Sequence, residues 1–429
     1  MFKQIEFSGP LRAARGAIAF ALPLILSLSS AKSQNQSVPK IPTPSGTYSI
    51  GRQAFDLTDM ARPDQFSVNR SRHRELMVYI WYPTPRSSSQ KPGDYFPGAI
   101  EIDKNAEARE QMRNEYGSAW LSIVAGSVNS HAVSDARPAE VSGGFPVVLF
   151  SHGVTSTIFS YTTQIEDLAS HGYIVVAIDH TDAAGVVLFS DGHLRLFHRG
   201  PLPPSNDPLQ SMIAGARNEA QTGAEDVLFV LNTLEEHKIG LAHYMDLSRV
   251  AAVGHSYGGT LSVRACQLEP RIKACVSEDG EVNPAGAFLD YPDHTSLPRP
   301  FMLVEVGRPS PTDAELARMR EPRAQWDDYL RRKQRQLAFC VGGSYDVTIS
   351  TPDMVHGSFS DGMLLNAQLS SGQGSHNVSS LVLIEKKVRG FLDNNLRHRE
   401  LSIFDTPNRS PTGVLIQPVG KHSSESGQE

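Results

Sequence analysis

The chain reads as an α/β domain, a mostly parallel central sheet with helices on both faces and inserted lid-like loops. Three observations predict it. Residues 145–150 (FPVVLF) and 173–178 (YIVVAI) are continuous apolar runs, the pattern of strands buried on both faces of a sheet. Helix-patterned stretches alternate with such runs, as at 161–170 and 224–234, which is the order of parallel β-α-β units. Finally, 429 residues with 40% hydrophobic and 20% charged content match ordinary globular composition and exclude a collagen, a mostly disordered chain or a disulfide-dense miniprotein. The formal net charge of −6 gives no basic footprint for nucleic acid, so no such partner is expected.

In chain order, Lys3, Arg12 and Arg15 precede a charge-free apolar run at 17–28, followed by Ser29, Ser30, Ala31 and Ser33. A basic region, a short apolar core and small residues describe a secretory signal over 1–33, and hence a secreted or periplasmic protein. Residues 34–47 read as a Pro/Ser/Gln-rich linker and 48–404 as the folded domain. Residues 76–82 (LMVYIWY) form a β-branched and aromatic strand stopped by Pro83. A helix is expected around 107–124. Its apolar residues Tyr116, Trp120, Leu121, Ile123 and Val124 suit core packing better than a lipid-facing or pocket-lining surface. The Pro-rich segment 183–215 reads as an inserted loop or lid. Further strands fall at 250–253, 271–276 and 300–306, and charged helical sequence at 311–337. The last helix places Leu381, Ile384, Val388, Phe391 and Leu392 on one face. Residues 405–429 are Ser-, Pro- and Gly-rich and read as a disordered tail. Cys266, Cys275 and Cys340 have no partner at CxxC spacing and are expected as buried thiols rather than a redox pair, a metal site or a bridge.

The chemistry centres on Gly254-His255-Ser256-Tyr257-Gly258. A G-x-S-x-G is weak alone, but this one follows an apolar strand and opens a helical stretch, the strand–turn–helix setting that exposes a serine hydroxyl. A Cβ at either flanking glycine would collide with the neighbouring strand or helix. Ser256 is the candidate nucleophile, with the amide of Tyr257 directed at the reacting oxygen. Ser151-His152-Gly153-Val154 ends the 145–150 strand. It offers a second backbone donor to an oxyanion, from Val154 or Gly153, while His152 itself reads as structural.

A serine nucleophile needs a base and an acid that orients it, in chain order Ser, acid, His. His356 lies in a loop before the final helices, where the base belongs. His294 is the runner-up, and His376, His398 and His422 suit the role less well. For the acid, Asp279 ends a strand ahead of Gly280, Glu278 is its neighbour and rival, and Asp313 after the next strand remains an alternative.

Taken together, Trp81-Tyr82-Pro83, FSHG at 150–153, LASHGY at 168–173, GHSYGG at 254–259, Asp279-Gly280 and HGSFSD at 356–361 resemble the platelet-activating factor acetylhydrolase family, plasma and type II intracellular forms, within the α/β-hydrolase superfamily. The resemblance implies an α/β-hydrolase fold, Ser256 as nucleophile, Asp279 as acid, His356 as base and Val154 with Tyr257 as oxyanion donors. It implies no cofactor or metal, and a small ester or a phospholipid as substrate, with contact to a lipid surface within its reach. The function it implies is hydrolysis of short-acyl esters, including the acetyl group of PAF-type phospholipids. A dienelactone-type or polyester hydrolase is the alternative, and a non-catalytic binding protein the third reading. The match lapses at 86–140, 183–215 and 281–345, the stretches that would shape the acyl pocket.

Overall fold

A computed structural model describes residues 38–419 except 66–70, 87–90, 201, 281–296, 308–309, 320–321, 339, 352–353, 370–373 and 400–412. The leader read at 1–33, His294 and His422 lie outside the described residues, as does the side chain of His376.

The strands are β1 (Ser49–Pro63), β2 (His73–Thr84), β3 (Ala132–Ser134), β4 (Phe145–Ser151), β5 (Ile174–Asp179), β6 (Val186–Leu188), β7 (Leu194–Leu196), β8 (Met245–His255), β9 (Ile272–Glu278), β10 (Phe301–Val306), β11 (Ser344–Ile349) and β12 (Val414–Val419). The helices are α1 (Ala99–Lys104), α2 (Ala106–Tyr116), α3 (Ala119–Val124), α4 (Thr162–Ser170), α5 (Pro208–Glu235), α6 (Tyr257–Leu268), α7 (Asp313–Met319), α8 (Arg323–Ala338), α9 (Asp361–Leu369) and α10 (Gly374–Arg397). Among the described residues, ten strands make one sheet in the order β12-β11-β10-β9-β8-β4-β5-β2-β1-β3. From β11 to β5 the pairing is parallel, while β12, β2 and β1 pair antiparallel to their inner neighbours.

The apolar runs explain the middle of this sheet. Every residue of β4 and β5 is buried. Alternate side chains serve opposite faces: Val148 and Phe150 join one core, Val147 and Leu149 the other. The order of connection reverses at β4, which has β5 on one side and β8 on the other. A crevice opens beyond the carboxyl ends of strands at such a point, and β4 and β8 end there in Ser151 and His255.

Several expectations change. The helix expected at 107–124 is two helices, α2 and α3, broken at Gly117, where φ is 56°. Tyr116, Trp120 and Ile123 are core residues, while Leu121 points outward at 61% exposure. The segment 183–215 is not all loop: β6 and β7 form a hairpin, and α5 begins at Pro208. Residues 38–47, within the stretch read as a linker, are fastened to the domain. Ile41 is buried, Ser45 Oγ donates to Asp167 at 2.7 Å, and the Gly46 amide donates to Ser170 Oγ at 2.9 Å. Residues 414–419, read as part of a disordered tail, pair with β11 as β12 and bury Val414 and Ile416. Composition misleads in both places because the backbone finds partners far away in sequence. Cys266 and Cys275, expected as free thiols, form a disulfide: the turn from α6 into β9 brings their Cα atoms to 6.4 Å, within bridging span. Cys340 is buried.

Candidate active site

β8 runs into α6 through Ser256, whose φ of 53° and ψ of −117° are strained for a residue with a side chain. The strain is held by packing. A Cβ on Gly254 would stand 2.7 Å from the Ser151 carbonyl oxygen and closer still to the Gly258 backbone. One on Gly258 would stand 2.7 Å from the His152 carbonyl oxygen and overlap Ser151. No side chain fits at either position, so α6 approaches β4 closely enough to turn Ser256 outward. Backbone bonds complete the turn: the Ser256 amide donates to Glu278 O at 2.8 Å, and the Thr260 amide to Ser256 O at 3.1 Å.

Asp279 follows β9 with φ 47°. Its amide donates to Val304 O at 2.6 Å, and its Oδ1 accepts from the Val306 amide at 3.1 Å. The other oxygen, Oδ2, lies 2.6 Å from His356 Nδ1, and His356 Nε2 lies 2.9 Å from Ser256 Oγ. A carboxylate only accepts, so Nδ1 carries the proton and Nε2 is free to accept from the serine hydroxyl. His356 sits on a single 3-10 turn, His356–Phe359, with its ring side chain 46% exposed. The three residues selected in the sequence are thus brought into hydrogen-bonding sequence. Such an array can shuttle a proton from a hydroxyl to a leaving group.

The rival residues are placed elsewhere. Glu278 is fully buried and accepts from Gln164 Nε2, and burial pushes its pKa up to about 7. The Asp313 side chain is 87% exposed and paired with Arg323 on the surface. His398 is exposed just past α10.

The turn after β4 lies beside the nucleophile: a Cβ built on Gly153 would come within 3.5 Å of Ser256 Cβ. The Gly153 amide donates to Tyr161 Oη at 3.0 Å. His152 is fully buried, donating from Nδ1 to Gly153 O at 2.7 Å and accepting at Nε2 from the His180 amide at 3.0 Å. Burial and the neighbouring His180 lower its pKa to about 3, so it stays neutral and structural, as its place in the sequence suggested.

Beneath this turn lies an ionic network that sequence reasoning missed. Ser151 Oγ donates to His180 Nε2 (2.9 Å), and His180 Nδ1 donates to Asp226 (3.0 Å). Asp226 also pairs with Arg74 (2.8 Å) and Arg62 (2.9 Å), and Arg74 pairs with Asp182 (3.0 Å). Burial alone would raise the Asp226 pKa, but the Arg74 charge and the bonds from His180 and Arg74 hold it well below the carboxylate range. The network ties the end of β4 to β2 and α5. No periodicity announces it; buried Asp226 within an apolar helix face was the available signal. From α5 as well, the Glu219 carbonyl accepts from Tyr257 Oη at 2.8 Å, anchoring the residue after the nucleophile.

With this geometry in place, the relatives are informative. Residues 148–366 match the sequence model of the alpha/beta hydrolase family, and residues 32–191 that of platelet-activating factor acetylhydrolase, isoform II. A probable 1-alkyl-2-acetylglycerophosphocholine esterase of Arthroderma benhamiae is 26% identical over 248 residues, 56% of this chain and 58% of its own length. The platelet-activating factor acetylhydrolase of Canis lupus familiaris is 24% identical over 310 residues, 66% of this chain and 63% of the relative. The chain therefore spans about three-fifths of the length of these curated relatives. A solved ferulic acid esterase from Streptomyces cinnamoneus superposes with a TM-score of 0.62 at 24% identity, covering 89% of this chain and 99% of that one; the likeness concerns the fold. By the match over half its length and by its sheet order, the chain belongs to the alpha/beta hydrolase family.

Proposed function

We propose that this chain is a serine hydrolase of carboxylic esters. One observation carries the reading: the His356 ring lies between Ser256 Oγ at 2.9 Å and Asp279 Oδ2 at 2.6 Å. In the mechanism, His356 Nε2 takes the Ser256 proton as Oγ attacks the ester carbonyl. Asp279 steadies the imidazolium that forms, and the proton passes to the departing alkoxide oxygen. A water deprotonated by the same ring then attacks the acyl-enzyme and frees the acid. The oxyanion is assigned to the amides of Val154 and Tyr257. The Gly153 amide is already bonded to Tyr161, which favours Val154 of the two donors considered in that turn.

Short acyl esters are the proposed substrates, the acetyl ester of a PAF-type phospholipid among them. Support comes from the names carried by the relatives and from the match to the isoform II model. Hydrolysis of p-nitrophenyl esters from C2 to C12, beside Ser256→Ala, tests the reading. Turnover falling steeply beyond short chains, and at least about 10,000-fold lower in the variant, is the expected result. Equal rates in wild type and variant would overturn it. A preference for long chains would retain the triad and remove the short-acyl assignment.

Export from the cytoplasm is part of the proposal. It rests on the basic, apolar and small-residue pattern of residues 1–33 and is supported by the Cys266–Cys275 disulfide, a bond that persists in oxidising compartments. Mass spectrometry of the N-terminus after expression in the native host should find a mature chain beginning near residue 34. An intact Met1 on a cytoplasmic protein would contradict it.

A further inference from the structure

We propose that Tyr161 and His255 are positioning residues that tie the turn at Gly153-Val154 to the segment carrying His356. The inference deepens the triad reading and rests on it. The observation is a continuous hydrogen-bonded chain whose direction is determined at every step. His255 Nε2 lies 2.9 Å from the carbonyl oxygen of His356. A carbonyl only accepts, so Nε2 carries the proton and Nδ1 must accept. Tyr161 Oη, 2.9 Å from that Nδ1, donates to it and receives the Gly153 amide at 3.0 Å. The path runs from the Gly153 amide through Tyr161 and His255 to the backbone of the base.

Packing agrees with the polar path. The His255 ring stacks on Phe359 at 5.1 Å and 21°, and lies 4.6 Å from the His356 ring. A Cβ on Gly153 would stand 3.0 Å from Tyr161 Oη and 3.2 Å from His255 Nδ1, so both groups press directly on the turn. Tyr161 and His255 are buried. Burial and the nearby His356 lower the His255 pKa to about 3, which preserves the accepting Nδ1 at any ordinary working pH. Tyr161 meets the backbone at Gly153, and His255 meets the backbone at His356. They act by holding two loops in register, and misplacing reacting groups by about 1 Å can slow an enzyme about 100-fold.

Tyr161→Phe, His255→Asn and His255→Gln separate positioning from bulk. Gln places its amide nitrogen where Nε2 stands and keeps the donor to His356 but not the acceptor for Tyr161, whereas Asn can keep an acceptor near Nδ1 and loses the donor to His356. On p-nitrophenyl acetate, Tyr161→Phe and His255→Asn should lower kcat by about 10- to 100-fold with KM within about threefold. His255→Gln, which keeps the link to the backbone of the base, should retain at least about threefold more kcat than His255→Asn. Ser256→Ala is measured beside them. Wild-type kcat in folded Tyr161→Phe, or no difference between His255→Gln and His255→Asn, would overturn the inference while an inactive Ser256→Ala left the triad reading intact. Unimpaired Ser256→Ala would overturn both.

Discussion

The nucleophile and its base are held by different physics. Ser256 is held by exclusion: glycines at 254 and 258 let α6 press on β4, and the strained turn has nowhere to relax. His356 is held by polar bonds on a single turn. Ser358 Oγ accepts from the Val355 amide (3.0 Å), Ser360 Oγ donates to Gly357 O (3.1 Å), and His255 donates to the His356 carbonyl. Just beyond, Asp361 Oδ2 accepts from the Thr163 amide (3.0 Å) and Tyr95 Oη (3.1 Å). The elbow is therefore all-or-none, because steric overlap leaves no partly correct state. The base segment can weaken one bond at a time while the fold persists. Perturbations of the elbow should appear as lost stability, and those of the base segment as lost turnover.

Gly258→Ala gives the largest expected effect on stability. Its Cβ meets backbone that cannot rotate away, and a loss of about 3 kcal/mol is expected, read as a lower urea midpoint. Wild-type stability in this variant would show that steric exclusion does not hold the elbow. Next comes the far end of the elbow helix, where the disulfide joins α6 to β9. Replacing both cysteines by serine should remove roughly 2–3 kcal/mol through the unfolded chain's regained freedom, with kcat per folded molecule unchanged. A fall in kcat at constant stability would contradict that division. On the base side, Ser358→Ala removes one bond worth about 1 kcal/mol, yet should reduce kcat more than the double cysteine replacement does.

The smallest effect concerns pH. Behind the base segment, burial pushes the pKa of Glu385 up to about 9 and those of Glu278 and Asp361 up to about 7. For Glu385, the nearby Asp167 and Asp361 add to the burial effect. The folded state thus holds protons that the unfolded chain releases near pH 4 to 5. Their contribution to stability is complete below that range and is lost as pH rises through 7 to 9. Glu385→Gln should flatten the decline in urea midpoint between pH 7 and 9. An unchanged slope would mean that Glu385 does not titrate there.

The same contrast explains what could be read in the sequence. The elbow is legible because its constraint is local: glycines at 254 and 258, an apolar strand before and a helix after. The buried strands β4, β5, β9 and β10 were legible from their apolar runs. His356 and Asp279 could be ranked by chain order, but only the fold brings them together across 77 positions. Tyr161, His255 and Asp226 escaped notice because their roles depend on partners that no spacing reveals. The long strand β1 did too: over residues 53–58 its exposure alternates between partial and full, so no apolar run marks it. Its evidence is the register with β2, from Ser49 opposite Thr84 onward.

The proposed triad is tested most simply by covalent labelling with an alkyl fluorophosphonate, read by intact mass and peptide mapping. One adduct per chain on the peptide containing Ser256 is predicted, with labelling slowed by orders of magnitude in His356→Ala and absent in Ser256→Ala. Labelling of Ser256→Ala at the wild-type rate, or an adduct mapped to another residue, would contradict the assignment of Ser256, His356 and Asp279 as the reacting group.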